Sequence, residues 1–414
     1  MGGNGESTLT DCLKGASRRV VSSGPFYFVF LGICAVVFIG GVIAGIHSVY
    51  VAGSRHAYGT YREIPLGMLI ATYTFFVVTS TGLCLLSSIG HIFGVEKFVP
   101  IGKRAVFLSI ITLLSGFLVI GLELENSLRL AIFLFLSPNL SSNIWWMGVL
   151  YSFETVLLIV EFIFLMQGKH KISATAGLLG IGFGVAAISN LGGVFAMLNG
   201  REFWYGPYLP VFFIASALLM GCAVITFFTP IAFAIQRKDV DDAMASSIES
   251  VAKLMMVMLA VVMFLTIWRM VSLTVGSPEK QMALNIFVSG PCAFTFWGLE
   301  ITLGLIIPFA LLLLSGGKRI GLMVLAAAFV IVCAFFARLG MVVGGEMVPL
   351  YWDLGVKEYA SLHQYSPTWR EILVVLAGAG FCGMMFLLGE KVFDGFAEEA
   401  AERGLRAKKK VDEK

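Results

Sequence analysis

The chain has 414 residues, 58% of them hydrophobic and only 13% charged, with a formal net charge of +3. Soluble domains carry about 25% charged residues, so this is the composition of a membrane protein and excludes an ordinary soluble enzyme. The small net charge gives no sign of a nucleic-acid partner; the placement of the charges says more than their sum.

A helix that crosses a bilayer needs about 20 apolar residues. In chain order, runs of that length lie near 26–50, 65–93, 104–122, 144–167, 172–198, 208–236, 250–275, 291–315, 320–343 and 370–392. The predicted fold is all-α and polytopic, with about ten transmembrane helices. A cytoplasmic segment 1–25 precedes the membrane domain 26–392, and a charged cytoplasmic tail 393–414 follows it. The first run is too long for a signal peptide. The middle of the fifth, from Gly180 to Gly193, is rich in Gly, Ser and Asn, which predicts a closely packed interior helix.

Ten spans put both termini on one side. Twenty of the 29 lysines and arginines fall on that side and nine on the other. By the positive-inside rule both termini are predicted to be cytoplasmic; the expected location is a bacterial inner membrane. Among the longer outer connections, 344–369 carries Glu346, Tyr351, Trp352, Asp353, Tyr359, His363, Tyr365 and Trp369, whose aromatics read either as an interfacial belt or as part of a docking surface for a partner. The tail reads as a short amphipathic helix followed by a basic run, Lys408 to Lys410.

The seven cysteines are scattered and contain no CxxC, so neither an iron–sulfur cluster nor a zinc site is indicated. Cytochrome b-type electron carriers need paired histidines within helices. Of the five histidines, His56 and His363 lie in loops and His170 in a connection, while His47 and His91 lie towards opposite membrane faces. No haem and no metal centre is expected in this chain.

Ionisable residues at membrane depth are costly and are functional candidates. Glu154 and Glu161 lie seven residues apart in the fourth run, almost two turns, so both carboxylates share one face. His47, Thr72, Tyr73, Arg269, Glu300 and Arg338 fall in the outer half. Phenol, imidazole and charged groups in an apolar wall suit a quinone headgroup, whose carbonyls need donors and whose reduction needs protons. Glu154, Glu161 and Glu300 would carry a proton path. The alternative is structural pairing, for instance Glu300 with Arg338.

Several segments resemble the NrfD/PsrC family of polysulfide-reductase-like membrane subunits. Ser80-Thr81-Gly82 resembles part of the family's first core helix. Gly121-Leu122-Glu123-Leu124-Glu125-Asn126-Ser127 falls where the family has Asp-Leu-Gly-Arg-Pro. Ser137-Pro138-Asn139-Leu140-Ser141 with Trp145-Trp146 resembles its Ser-Pro-Met-Ser…Trp segment. Gly206-Pro207 to Leu209-Pro210 and Trp297-Gly298-Leu299-Glu300 to Pro308 extend the likeness over roughly 70–315. The chain departs from the pattern in keeping only the acid Glu123 and Leu124 of the Asp-Leu-Gly-Arg-Pro element, with Asn126 in place of its Arg. Some relatives also place a histidine on the first core helix, where Tyr73 is the nearest polar residue here.

The resemblance implies two four-helix bundles and no redox cofactor within the subunit. It also implies menaquinone bound near the outer face and electrons exchanged with a periplasmic ferredoxin-like iron–sulfur subunit, beside multihaem cytochrome and molybdopterin-type subunits. The ten-span form looks like subunits of the menaquinone reductase complex of sulfate reducers and of alternative complex III. The function expected is thus a quinone-interacting membrane anchor of a respiratory oxidoreductase, not catalytic alone. A secondary transporter with an interrupted fifth helix is one alternative. A proton-translocating member of the same family without its own quinone site is another.

Overall fold

The computed structural model describes residue 15, residues 17–350, residues 361–393 and residue 396. The expectations for Tyr351, Trp352, Asp353 and Tyr359, for most of the N-terminal segment and for the basic tail lie outside the described residues. Among the described residues, ten helices are long and apolar enough to cross a membrane: α1 Pro25–Ala52, α2 Met68–His91, α3 Glu96–Gly121, α4 Asn143–Met166, α5 His170–Ala196, α6 Tyr208–Gln236, α7 Asp242–Thr274, α8 Phe294–Ser315, α9 Ile320–Gly344 and α10 Trp369–Val392. Among the described residues there is no strand, and the protein is a multi-pass integral membrane protein. Short helices at Ser127–Leu136 and Pro278–Val288 lie in connections.

The ten expected spans are all present. Two begin eight residues earlier than their apolar runs, α3 at Glu96 and α7 at Asp242. The added turns bring charges, Glu96, Lys97 and Lys103 on α3 and Asp242 and Glu249 on α7; the Asp241 side chain caps α7 by accepting a hydrogen bond from the Met244 N–H at 3.1 Å. At α10 a capping box joins Thr368 and Glu371. Between α8 and α9, Gly316 (φ 53°) and Gly317 (φ 76°) adopt the left-handed conformation that closes the tight turn.

Helices α2, α3, α4 and α5 pack into one bundle and α6, α7, α8 and α9 into a second. The bundles join where α2 meets α6: a Cβ added at Gly82 would run into the Ala217 carbonyl, and one added at Gly221 into that of Gly82. Helix α1 packs on α10, which lies on α3. Near the end that holds the chain termini, the buried Arg104–Glu390 pair (2.6 Å) ties α3 to α10, and Gln236 of α6 donates to the same carboxylate at 3.0 Å. Large hydrophobic side chains on the bundle exterior, such as Val36, Val156, Leu178 and Phe264, are exposed, as a lipid-facing surface requires.

Helix α5 is continuous, so the interrupted helix that would favour a transporter is absent from that span. It is interior along one face only, since Leu178 and Leu179 are exposed. The longest irregular stretch is in α8, whose residues Phe294–Ile306 form a π-helix; α1 ends in a shorter one, Ser48–Ala52. The α8 segment ends just before Pro308, whose missing N–H breaks the α-helical hydrogen-bond pattern.

Candidate functional site

At the end opposite the termini, the connection from α5 to α6 folds over the second bundle. Arg201 holds it there by donating to the carbonyls of Glu63 (3.0 Å), Glu346 (2.9 Å) and Val348 (3.0 Å). The indole of Trp204 donates to the Met341 carbonyl at 2.8 Å. Between these anchors Phe203 stacks on Phe287, 4.5 Å apart at 8°, and becomes the roof of a cavity.

The cavity encloses about 750 Å³ of space not filled by atoms, part of it open to the outside. All four helices of the second bundle wall it. Its polar groups are Ser216 of α6, Thr266 and Arg269 of α7, Glu300 of α8 and Arg338 of α9; the rest is mostly apolar and aromatic. Arg269 lies five residues before the end of α7 and Arg338 six before the end of α9, about 8–9 Å down each helix. Glu300 sits six residues into α8, in the middle of the π-helical segment.

The two guanidinium groups are buried against aromatic faces. Arg269 lies 3.8 Å over Phe203 and 5.2 Å from the Tyr208 ring; Arg338 lies 4.5 Å over Phe213. Arg338 Nη2 donates to Ser216 Oγ. Arg338 Nη1 and Arg269 Nε and Nη2 are buried without a hydrogen-bond partner. Ion pairs within 4 Å join Arg104 to Glu390, Lys253 to Glu249 and Lys280 to Glu202; Glu300 and Arg338, whose pairing the sequence left open, do not form one. Half-buried Glu300 faces the cavity rather than being consumed by a guanidinium. Unpaired donors beside one carboxylate suit a neutral ligand with carbonyl acceptors that exchanges protons.

The structure divides the residues that the sequence grouped. Arg269, Glu300 and Arg338 converge on this cavity. Thr72 and Tyr73 belong to α2 in the other bundle, where Thr72 Oγ1 donates to the Met68 carbonyl at 2.7 Å and the Tyr73 ring meets Tyr151 edge-on at 6.4 Å. His47 is exposed at the end of the α-helical part of α1. Neither Thr72, Tyr73 nor His47 lines the cavity.

Below Tyr73 and Tyr151 lie the two carboxylates of α4, buried at 0% (Glu154) and 2% (Glu161) exposure. Thr81 donates to Glu154 Oε1 at 3.3 Å, while Oε2 of each glutamate has no partner. Their room comes from α5. A Cβ added at Gly184 would stand 2.6 Å from Glu154 Oε1, and one at Gly177 would stand 2.8 Å from Glu161 Oε1. The glycines are seven residues apart, as the glutamates are, in antiparallel register. That matched spacing was present in the sequence, where Gly184 read only as part of a packing stretch and Gly177 lay outside it. Sequence reasoning also missed Ser216, Tyr208 and Phe203, which look like ordinary helix and loop residues; only the Gly206-Pro207 turn and the Leu209-Pro210 pair that opens α6 mark their neighbourhood.

Outside the spans, two acids crown the same end, Glu123 half-buried and Glu346 buried. Burial raises Glu123 to about 8, with the nearby Glu371 charge adding to the effect. Burial also raises Glu346 to about 8, against the opposing pull of the Leu66 N–H and Arg201.

Residues 56–349 match the family model described as polysulphide reductase, NrfD, further at both ends than the segments that carried the sequence resemblance. The chain is 25% identical to a subunit of the selenate reductase of Mesobacillus selenatarsenatis over 409 residues, covering 87% of this chain and 91% of that protein. It is 20% identical over 358 residues to the Hdr-like menaquinol oxidoreductase integral membrane subunit of Archaeoglobus fulgidus, covering 83% of this chain and 88% of that one.

Proposed function

The chain belongs to the NrfD family of polysulphide reductase proteins, and we propose that it is the quinone-interacting membrane anchor subunit of a respiratory oxidoreductase complex. It exchanges electrons between a periplasmic iron–sulfur subunit and menaquinone. The single observation that carries this reading is the cavity with two desolvated, incompletely paired guanidinium groups beside one carboxylate. Both relatives are named as subunits of reductase or oxidoreductase systems, and one of them as a menaquinol oxidoreductase. The charge asymmetry supports cytoplasmic termini in a bacterial inner membrane, which puts the cavity near the periplasmic face, where a soluble electron carrier docks.

Quinone and quinol interconvert with two electrons and two protons. Arg269 and Arg338 hold the headgroup by donating to its carbonyl oxygens, and their charge favours the electron-rich form. Glu300, facing the same space, takes or delivers a proton. Thr266 and Ser216 add neutral polar contacts, while Phe203, Phe212 and Phe296 exclude water. In the first bundle, Glu154 and Glu161 form a proton path that starts from the cytoplasmic side, with Tyr151 and Tyr73 above them. That bundle also supports a second reading, a proton-translocating subunit, because two buried carboxylates without a cation partner serve no packing purpose.

The test is purification of the full chain with its co-purifying subunits in lipid nanodiscs. The expected outcome is binding of a naphthoquinone near stoichiometrically, and quinone turnover that depends on the soluble subunits. Turnover by the chain alone with a soluble donor, or a stoichiometric haem spectrum from the chain alone, would overturn the reading.

A further inference from the structure

Beside the cavity lies a second space, an open groove of about 1280 Å³ between the start of α6 and the last turns of α7. Phe203 and Arg269 line both spaces, so the two are neighbours across that stacked pair. Leu265, Trp268 and Ser272 follow the groove at helical spacing, on the same stripe of α7 as Arg269. Its membrane side is apolar and uncovered: Trp268 is 61% and Val211 57% exposed. Its opposite rim is polar, where Lys280 and Glu202 pair at 3.3 Å. The groove is thus open towards lipid and capped by charge at its outer rim.

Building on the assignment of the cavity to a quinone headgroup, we propose that this groove is the lateral doorway of the quinone and the berth of its polyprenyl tail, with Arg269 as the door. The occupant follows from the surroundings. A headgroup held by Arg338 and Glu300 leaves its hydrocarbon tail to exit towards lipid, and the groove adjoins the cavity and is itself apolar there. Phe203 cannot serve as the moving part, because its loop is pinned through Arg201 and Trp204. Arg269 can. Its guanidinium rests on Phe203 and Tyr208 with Nε and Nη2 unbonded, so swinging aside breaks no hydrogen bond at those atoms.

The test uses the same nanodisc preparation and two probes: a naphthoquinone bearing four isoprene units, and 2-methyl-1,4-naphthoquinone, which has no tail. Val211→Trp fills the groove without touching the cavity; Ser272→Phe fills it from the α7 wall. Both variants are expected to weaken the tailed probe at least about tenfold, the equivalent of uncovering about two CH₂ groups, and to leave the tailless probe unchanged. Leu313→Trp, an equally exposed addition near the other end of α8, is expected to alter neither. Unchanged binding of both probes in both groove variants overturns the doorway, as does equal weakening of the two probes. If the unmodified protein binds neither probe, it is the quinone assignment of the cavity that falls.

Discussion

Replacing Arg269 by Leu separates a ligand-binding role from a structural one, because the two predict opposite signs. Arg269 is 8% exposed, with two guanidinium nitrogens unpaired. A hydrogen bond from a charged donor contributes about 1.5–3 kcal/mol. At about 1.4 kcal/mol per factor of ten, its loss weakens naphthoquinone binding about 10- to 150-fold. The contact with Phe203 at 3.8 Å is worth about 2 kcal/mol when desolvated. It is present with or without ligand, so it drops out of the affinity difference in first order.

Stability moves the other way. A buried cation with no ion pair within 4 Å, facing a Glu300 carboxylate that it shares with Arg338, carries a desolvation cost of several kcal/mol, which exceeds one cation–π contact, so Arg269→Leu is expected to melt at the same temperature or higher. Arg269→Lys keeps the charge and loses the planar fork, and is expected to fall between. The assay is titration of tailless naphthoquinone by intrinsic fluorescence quenching, with thermal melting on the same samples. Unchanged affinity together with a clearly lower melting temperature would refute the reasoning and make Arg269 a packing residue.

Three further outcomes follow from the same geometry. Glu154→Gln and Glu161→Gln are expected to assemble normally and to lose quinone turnover or its voltage dependence; Gly184→Ala, whose Cβ would displace the Glu154 carboxylate, is expected to reproduce the Glu154 phenotype, and full activity in all three would demote the pair to packing. Arg104→Leu strands a buried Glu390 carboxylate and is expected to cost about 3–5 kcal/mol, whereas Arg104→Leu with Glu390→Leu recovers most of it; chemical unfolding of the assembled protein reads both. Glu123 and Glu346 sit at about 8 in the fold against 4.5 for an ordinary glutamate, so between those values the folded protein binds more protons than the unfolded chain. Stability is therefore expected to be greatest below about pH 4.5 in this respect and to decline as pH rises towards 8. Glu123→Gln with Glu346→Gln flattens the melting profile across that window; a profile with the same slope in the double variant would remove these acids from the account.

The amino-acid sequence by itself determines the ten spans, because hydropathy is a sum over neighbours in the chain and a bilayer sets one length for all of them. It also identifies the ionisable residues that are costly to bury, since Glu154, Glu161, Arg269, Glu300 and Arg338 stand out against apolar surroundings wherever the helices go. Family membership was legible too, in short segments such as Ser137-Pro138-Asn139 and Trp297-Gly298-Leu299-Glu300. What the sequence leaves open is lateral order. In a membrane the lipid-facing and core-facing sides of a helix are both apolar, so periodicity does not say which helix meets which. Depth put His47, Thr72 and Tyr73 with Arg269, Glu300 and Arg338; only the tertiary structure sends the first three to α1 and the first bundle and gathers the last three around one cavity. Phe203 and Ser216 join that site for the same reason: their role comes from a pinned loop and a glycine-tight helix crossing, neither of which is local in the chain.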